Sequence, residues 1–396
     1  MRINENTALV EEKTSIIKKD KIVDAKKPIE NWWSLINTND STEEINESFI
    51  NLYRTNLPEL GEIVMTGVCP NECLHCLYPY DYDKFNPELS LQDWKAVIDK
   101  LYYELAIKTF IHCGRILDNS GIEALGYIKN NFEDVQVGII NDGISLSPYI
   151  NRLRDIRPDW IDISVDGLKK EHDLQRNASG RFHKTLKSLE MLKENNVTPK
   201  INLLTTVTSL NITVIVDVIK YFNDKGFKNF FISPVIDFKP WKSNDSIKIN
   251  DQEWLILFDN IQKNLSKFND TWIELACYEI DQIIPFIKSG TINWDSFNFS
   301  DESIYWDFSK GNNNFYINFE PFSLVGIKDC VINPAGKIIF NKSMATGQVK
   351  EEYMIGDAVK DNLKNIYQNL NNKRIFRNYQ NEFYKEISIL RKEVKK

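Results

Sequence analysis

The 396-residue chain has only six cysteines. It contains no uninterrupted apolar run near the ~18 residues needed to cross a membrane as a helix. It also lacks a basic balance: 49 Lys and Arg against 56 Asp and Glu leave a net charge of -7. That argues against a general nucleic-acid binder, which carries a positive footprint. The opening "MRINENTALVEEKTSIIKKDK" lacks the basic-then-apolar layout of a secretory signal. These absences point to a cytoplasmic protein with no membrane or nucleic-acid partner. In a reducing compartment, crowded cysteines indicate metal or redox chemistry rather than disulfides.

Half of the six crowd into "GVCPNECLHC", as Cys69, Cys73 and Cys76. A tetrahedral zinc site takes four protein ligands, and so does an ordinary [4Fe–4S] ferredoxin site. The local count stops at three. A cubane held by three thiolates leaves one iron open to an exogenous ligand. The competing reading is a zinc-binding scaffold whose fourth ligand is distant, with Cys113 or His75 as candidates.

Strand-like and helical stretches alternate around this loop. Strands are expected at 62–68, 109–113, 135–140, 160–166, 200–208 and 229–235. Helices fall between them at 89–106, 119–132, 147–156, 181–196 and 211–226. Ser90 caps the first helix and Gly226 stops the last. Alternation of this kind implies parallel strands with helical crossovers, whose ligands sit at the C-terminal strand ends. Six units are too few to close an eight-unit barrel, so a partial barrel is expected. After residue 238 the alternation fails: 252–268 and 271–288 read as helical, 291–323 is rich in aromatics and Asn, and "CVINPAGKIIF" reads as a hairpin turning at 334–336. A basic amphipathic helix ends the chain from about 360. The expected domains are an N-terminal extension (1–57), a (β/α)6 core (58–238), a helical and aromatic-rich linker or cap (239–323) and a C-terminal hairpin and helix (324–396).

The C-x3-C-x2-C loop after the first strand resembles the motif of the radical S-adenosylmethionine (radical SAM) superfamily. The resemblance implies a partial (β/α)6 TIM-like barrel. It also implies one [4Fe–4S] cluster on Cys69, Cys73 and Cys76, with SAM chelated at the open iron. One electron from a reductant such as flavodoxin or ferredoxin then yields a 5′-deoxyadenosyl radical that abstracts hydrogen from substrate. "ISVDGLKKEHDLQRNASGRF" resembles the fourth-strand region of the branch with a SPASM or twitch extension. It places Ser164 near the SAM ribose, Asp166 on the same strand end and Arg176 on the SAM carboxylate. "LLTTVTSLN" supplies Thr206 and Asn211, and Pro234 in "ISPV" marks the strand that contacts adenine. His75 sits where the family has an aromatic residue near adenine.

The sequence departs from the family pattern after the second strand. Where the family carries G-G-E-P, whose acid holds the SAM amino group, this chain has "HCGRILD". Gly114 keeps the close approach, Arg115 replaces the acid, and Asp118 is the nearby alternative carboxylate. The C-terminal segment resembles an α+β SPASM/twitch cap that keeps only Cys330, with Cys277 the other thiol in that half. Two thiols cannot hold a four-cysteine cluster. Cys330 is therefore the candidate hydrogen-atom donor, ahead of Cys277 and Cys113. The substrate is expected to be a peptide or small natural product, undergoing epimerisation, rearrangement or other C–H modification. Dehydrogenation or deoxygenation of an aminosugar is the alternative. Asp81, Asp83 and Glu320 are acids available to a polar substrate.

Overall fold

The structure is a computed structural model. It describes residues 41–44, 47, 57–69, 71–76, 88–113, 116–236, 245–299, 303–321, 329–340, 354–370 and 374–395. Most of the N-terminal extension (1–57) lies outside these.

The alternation expected from the sequence is present. Strands β1 (Leu60–Ile63), β2 (Thr109–Cys113), β3 (Gln136–Asn141), β4 (Trp160–Ser164), β5 (Ile201–Val207) and β6 (Asn229–Pro234) pair in sequence order, all parallel. The crossovers carry α1 (Leu91–Leu105), α2 (Asn119–Asn131), α3 (Ile150–Ile156), α4 (Lys169–Gln175), α5 (Arg181–Glu194) and α6 (Ile215–Asp224). Local chemistry sets their ends. Ser90 and Asp93 form a reciprocal capping box at α1, satisfying two amides that the first turn cannot. Gly226 follows α6 at φ 86°, a left-handed conformation that stops a helix without Cβ strain.

The alternation does not fail at residue 238. After α7 (Asp251–Asn264), Trp272–Cys277 forms β7, parallel to β6. The expected helix over 271–288 is thus a strand followed by α8 (Ile280–Lys288). In "WIELAC" the period is two. Ile273, Leu275 and Cys277 pack into the core under the helices, while Trp272, Glu274 and Ala276 take the other face. The aromatic stretch is a sheet extension. Short β8 (Asn298–Phe299) leads to β9 (Ile304–Lys310) and β10 (Asn313–Phe319), an antiparallel hairpin whose β10 pairs in parallel with β7. Its two-residue loop begins with Gly311 at φ 65°, the sign a two-residue hairpin turn needs there.

At the other edge, β11 (Asp329–Ile332) runs parallel to β1, followed by β12 (Lys337–Ile339) and β13 (Met354–Asp357). The expected turn at 334–336 joins β11 to β12. Asn333 closes it, its Oδ1 accepting from the amides of Ala335 and Lys337. Helices α9 (Leu363–Gln368) and α10 (Arg374–Val394) end the described chain. The result is one open sheet of thirteen strands, ordered β13-β12-β11-β1-β2-β3-β4-β5-β6-β7-β10-β9-β8. It is a partial TIM-like barrel, extended at both edges.

The sheet has two unlike faces. Its outer face packs under the helices in one large core that includes Trp94, Phe110, Phe222, Phe315 and Phe383. Each such side chain contributes about 1.5–3 kcal/mol through burial. Its inner face carries a small apolar cluster of Val64, Ile111, Cys113, Val331 and Ile339, with Trp160 packed against it. Trp160 lies over Gly138, where an added Cβ would come within 2.2 Å of the indole. Among the described residues, no helix is long and apolar enough to cross a membrane.

Candidate active site

The cysteine loop leaves β1 at its C-terminal end and crosses the mouth of the partial barrel. Glu88 anchors its start by accepting from the Gly67 amide at 2.7 Å and the Thr66 hydroxyl at 3.1 Å. Asn71 then donates to Asp142, beyond β3. The Leu74 amide donates to the Gln175 carbonyl at 2.9 Å, at the end of α4, and the Cys76 amide donates to the Cys73 carbonyl. The loop is thereby tied to segments following β3 and β4. Cys73 is buried, and Cys69 and Cys76 are half-buried.

Under this loop lies a buried ion pair. Arg176 Nη2 is 2.6 Å from Asp166 Oδ2, and Arg176 Nη1 is 3.8 Å from Cys73 Sγ. Asp166 is 1% exposed and Arg176 7%. Burial opposes ionisation of Asp166. The Arg176 charge, His75 (Nε2 at 3.9 Å), His172 and the Thr206 amide outweigh that cost and hold the carboxyl below its usual range. Burial likewise opposes the Arg176 charge, but Asp166, Cys73 and Asp142 keep it firmly protonated. Burial pushes the Cys73 thiol up to about 11, only partly offset by Arg176. A thiol in that state becomes a thiolate readily only against a strong positive centre such as a metal ion.

Residues expected at the site divide into three groups. Ser164 ends β4 on the inner face, and Pro234 ends β6 in a buried position. Thr206 faces inward on β5, and its amide donates to Asp166. Asn211 is fully buried and structural, donating to the carbonyls of Asp166 and Thr206. These four, with Asp166, Arg176, His75 and the cysteines, belong to the same strand-end region. Gly114 and Arg115, like Asp81 and Asp83, lie outside the described residues. Asp118 caps α2, accepting from the Gly121 amide at 2.8 Å.

Cys330 is not brought to this region. It pairs with Gly61 near the start of β1, on the outer face with Ile332, fully buried under the helices. Burial, partly offset by the neighbouring Tyr367 hydroxyl, pushes its thiol up to about 12. Cys277 occupies the same outer face on β7. Of the three donor candidates, only Cys113 faces inward, in the cluster with Val64.

Two contributors escaped the sequence reading. Gln175 clips three parts together: its carbonyl takes Leu74, its Nε2 donates to the Thr206 carbonyl at 2.8 Å, and its Oε1 accepts from Thr208. His172 accepts the Asp166 amide at Nδ1. Burial and the Arg176 charge push it down to about 4, so it stays neutral. Their one sequence signal is the block "HDLQR", in which only the arginine stood out.

Comparison with known proteins decides the domain. Residues 63–222 match the model of the Radical SAM superfamily. This region is a radical SAM domain. No curated protein matches the chain. Among solved structures, anSMEcpe with bound AdoMet aligns at 15% identity and a TM-score of 0.57, over 83% of this chain and 84% of that one. SuiB of Streptococcus suis, bound to the precursor peptide SuiA, aligns at 11% identity and a TM-score of 0.59. Another SuiB structure aligns over 92% of this chain and 76% of its own length. At such identities the likeness establishes the fold, and the domain match establishes a radical SAM enzyme.

The residues fit the cluster this domain implies. Among the described residues, no three His, Cys, Asp or Glu side chains converge as ligands of a single ion would. A cubane makes no such demand, because each thiolate binds a different iron. Three thiols on one tethered loop, one of them beside a buried guanidinium, match that donor set.

Proposed function

We propose that this enzyme holds a single [4Fe–4S] cluster on Cys69, Cys73 and Cys76 and modifies a C–H bond of a peptide substrate. The observation that carries the reading is the three-thiol loop, anchored across the barrel mouth and set on the Arg176–Asp166 pair. When bound, the cluster and SAM supply reductive cleavage to a 5′-deoxyadenosyl radical.

This chain's own residues hold and orient. Cys73 would bind the cluster as its thiolate, with the Arg176 guanidinium beside it. Asp166 fixes Arg176, and the Arg176 Nε–H, buried without a partner, is the free donor for the SAM carboxylate. Ser164, Thr206 and Pro234 line the strand ends where nucleoside would lie, with His75 at the adenine. Gln175 and Asn211 keep these ends in register. The remaining thiols, Cys113, Cys277 and Cys330, sit on three strands and two faces, which supports one cluster and a C-terminal extension without its own. With no second acceptor for an electron, redox-neutral outcomes such as epimerisation are favoured over two-electron oxidation. A flavodoxin or ferredoxin supplies the electron. The peptide class is favoured because SuiB is described with its precursor peptide and anSMEcpe with the Cp18Cys peptide.

Anaerobic reconstitution followed by mass spectrometry of candidate peptides in D2O tests this. Peptide-dependent 5′-deoxyadenosine with a modified peptide is expected. Cleavage stimulated only by aminosugars would replace the peptide reading.

A further inference from the structure

The helix that backs the cysteine loop has two unlike faces. His172 and Gln175 on α4, with Arg176 just past its end, turn inward and are buried. At about 100° per residue, Lys170 and Leu174 fall on the opposite side of the helix, and both are exposed. A helix with its side chains is about 10–12 Å across. The surface at Leu174 is therefore about one helix thickness from the Arg176–Cys73 contact.

That surface is apolar at one point and basic around it. Among the described residues, seven large hydrophobic side chains stay exposed, and two of them adjoin the thiol loop: Leu174 is 48% exposed, and Val68, the residue before Cys69, is 58%. Loop and helix are tied directly, the Leu74 amide donating to the Gln175 carbonyl. Residues 169–187 hold six Lys and Arg against two acids, in a chain whose net charge is -7. Of the six, only Arg176 is buried. Lys169, Lys170, Lys184 and Lys187 are exposed, and among the described residues none of the four forms an ion pair. Asp173 accepts from the amides of Gly180 at 2.7 Å and Phe182 at 2.8 Å. It thereby pins the start of α5, with Arg181 and Lys184, beside α4. The acids nearby are the half-buried Glu171 and, on the loop, the exposed Glu72.

The proposed chemistry needs one electron delivered to the cysteine loop from outside. Carriers of the flavodoxin and ferredoxin type are acidic proteins. Electron-transfer encounters are weak and use small surfaces, below about 1,200 Å² in total. A basic rim around a small apolar contact attracts and orients such a partner without holding it tightly.

We infer that the outer face of α4 and the start of α5 form the docking surface for an acidic one-electron carrier protein, with Lys169, Lys170, Arg181 and Lys184 around Leu174. This rests on the radical SAM reading and gives the electron donor its place on that enzyme. The reduced carrier is oxidised by one electron, which crosses α4 to the group held by the three cysteines. No bond is made or broken at the surface, and no proton moves there.

The direct readout is binding of labelled flavodoxin to reconstituted, full-length protein at low and high salt. Wild type should bind at low salt and lose roughly tenfold in affinity at high salt. Lys169→Glu/Lys170→Glu should weaken low-salt binding roughly tenfold and flatten that salt dependence. If the double variant melts early, the exposed Lys184→Glu carries the test, with a smaller expected loss. SAM cleavage driven by reduced flavodoxin should fall in parallel. Cleavage driven by dithionite, which needs no docking, should match wild type. Equal flavodoxin binding by wild type and variants overturns the inference, as does binding that ignores salt. A face that binds an oligonucleotide in place of flavodoxin, and loses it in the variants, also overturns the carrier assignment. Failure of the radical reading would show separately, as wild-type protein without iron or without dithionite-driven SAM cleavage, whatever its flavodoxin binding.

Discussion

The barrel mouth and the β7–β10–β9 wall belong to one sheet and meet opposite electrostatic demands. At the mouth, charge is buried and answered: Asp166 has Arg176 at 2.6 Å, the Thr206 amide and a neutral His172 beside it. At the wall, among the described residues, charge is more exposed and has no counter-charge: Glu274 and Asp307 flank an aromatic stack and accept only from the asparagines Asn318 and Asn298. A buried ion pair fixes geometry, as a cofactor site needs.

The contrast can be broken most severely at the mouth. Cys73→Ala should lose the cluster, with iron content and SAM cleavage both falling to background. Asp166→Asn leaves Arg176 buried without its counter-charge. Breaking such a pair costs about 3–5 kcal/mol, and chemical denaturation should show it even in iron-free protein. An unchanged midpoint would mean the pair is not structural.

Acid should sharpen the same point. His112 and His172 are each pushed down to about 4 from 6.5, in both cases first by burial. Both stay neutral in the fold but protonate in the unfolded chain below pH 6.5. The unfolded state then binds more protons, so stability falls as pH drops from about 6.5 to 4. Over that 2.5-unit span each contributes up to about 3 kcal/mol. A His112→Gln variant should show a shallower acid slope in a denaturation series from pH 7 to 4.

Gly138→Ala tests the inner cluster between the two regions. The methyl would meet the Trp160 indole, and overpacking of this kind costs about 1–3 kcal/mol. The smallest effect is expected at Cys330→Ala, about 1 kcal/mol from a buried small side chain. Product formation and deuterium incorporation should persist in that variant, because the thiol lies on the outer face. Loss of incorporation would restore Cys330 as hydrogen donor.

The mouth was far more legible in the sequence than the wall. Strong local signals mark it: clustered thiols, apolar strands at regular spacing, and a capping serine at residue 90. Arg176 stood out because its block resembles a known pattern, whereas Gln175 clips segments distant in sequence, Leu74, Thr206 and Thr208, which no local pattern records. The wall was misjudged because "WIELAC" is short and follows a helical stretch, so its period of two was read as more helix. Its assembly depends on β10 joining β7 through a parallel pairing, a long-range event that composition does not carry. Cys330 failed to reach the mouth for a related reason. One step of strand register decides which face a side chain takes, and the parallel pairing with β1 turns Cys330 toward the helices and Val331 inward.

The central claim is that three thiols, and only those, hold a cluster that cleaves SAM. Anaerobic reconstitution of the full chain tests it directly, by iron and sulfide analysis with electron paramagnetic resonance before and after SAM addition. Brown protein with about four irons per chain, a reduced-cluster signal that shifts with SAM, and 5′-deoxyadenosine under a low-potential reductant are expected. Colourless protein with one tight zinc, no shift and no SAM cleavage would contradict it.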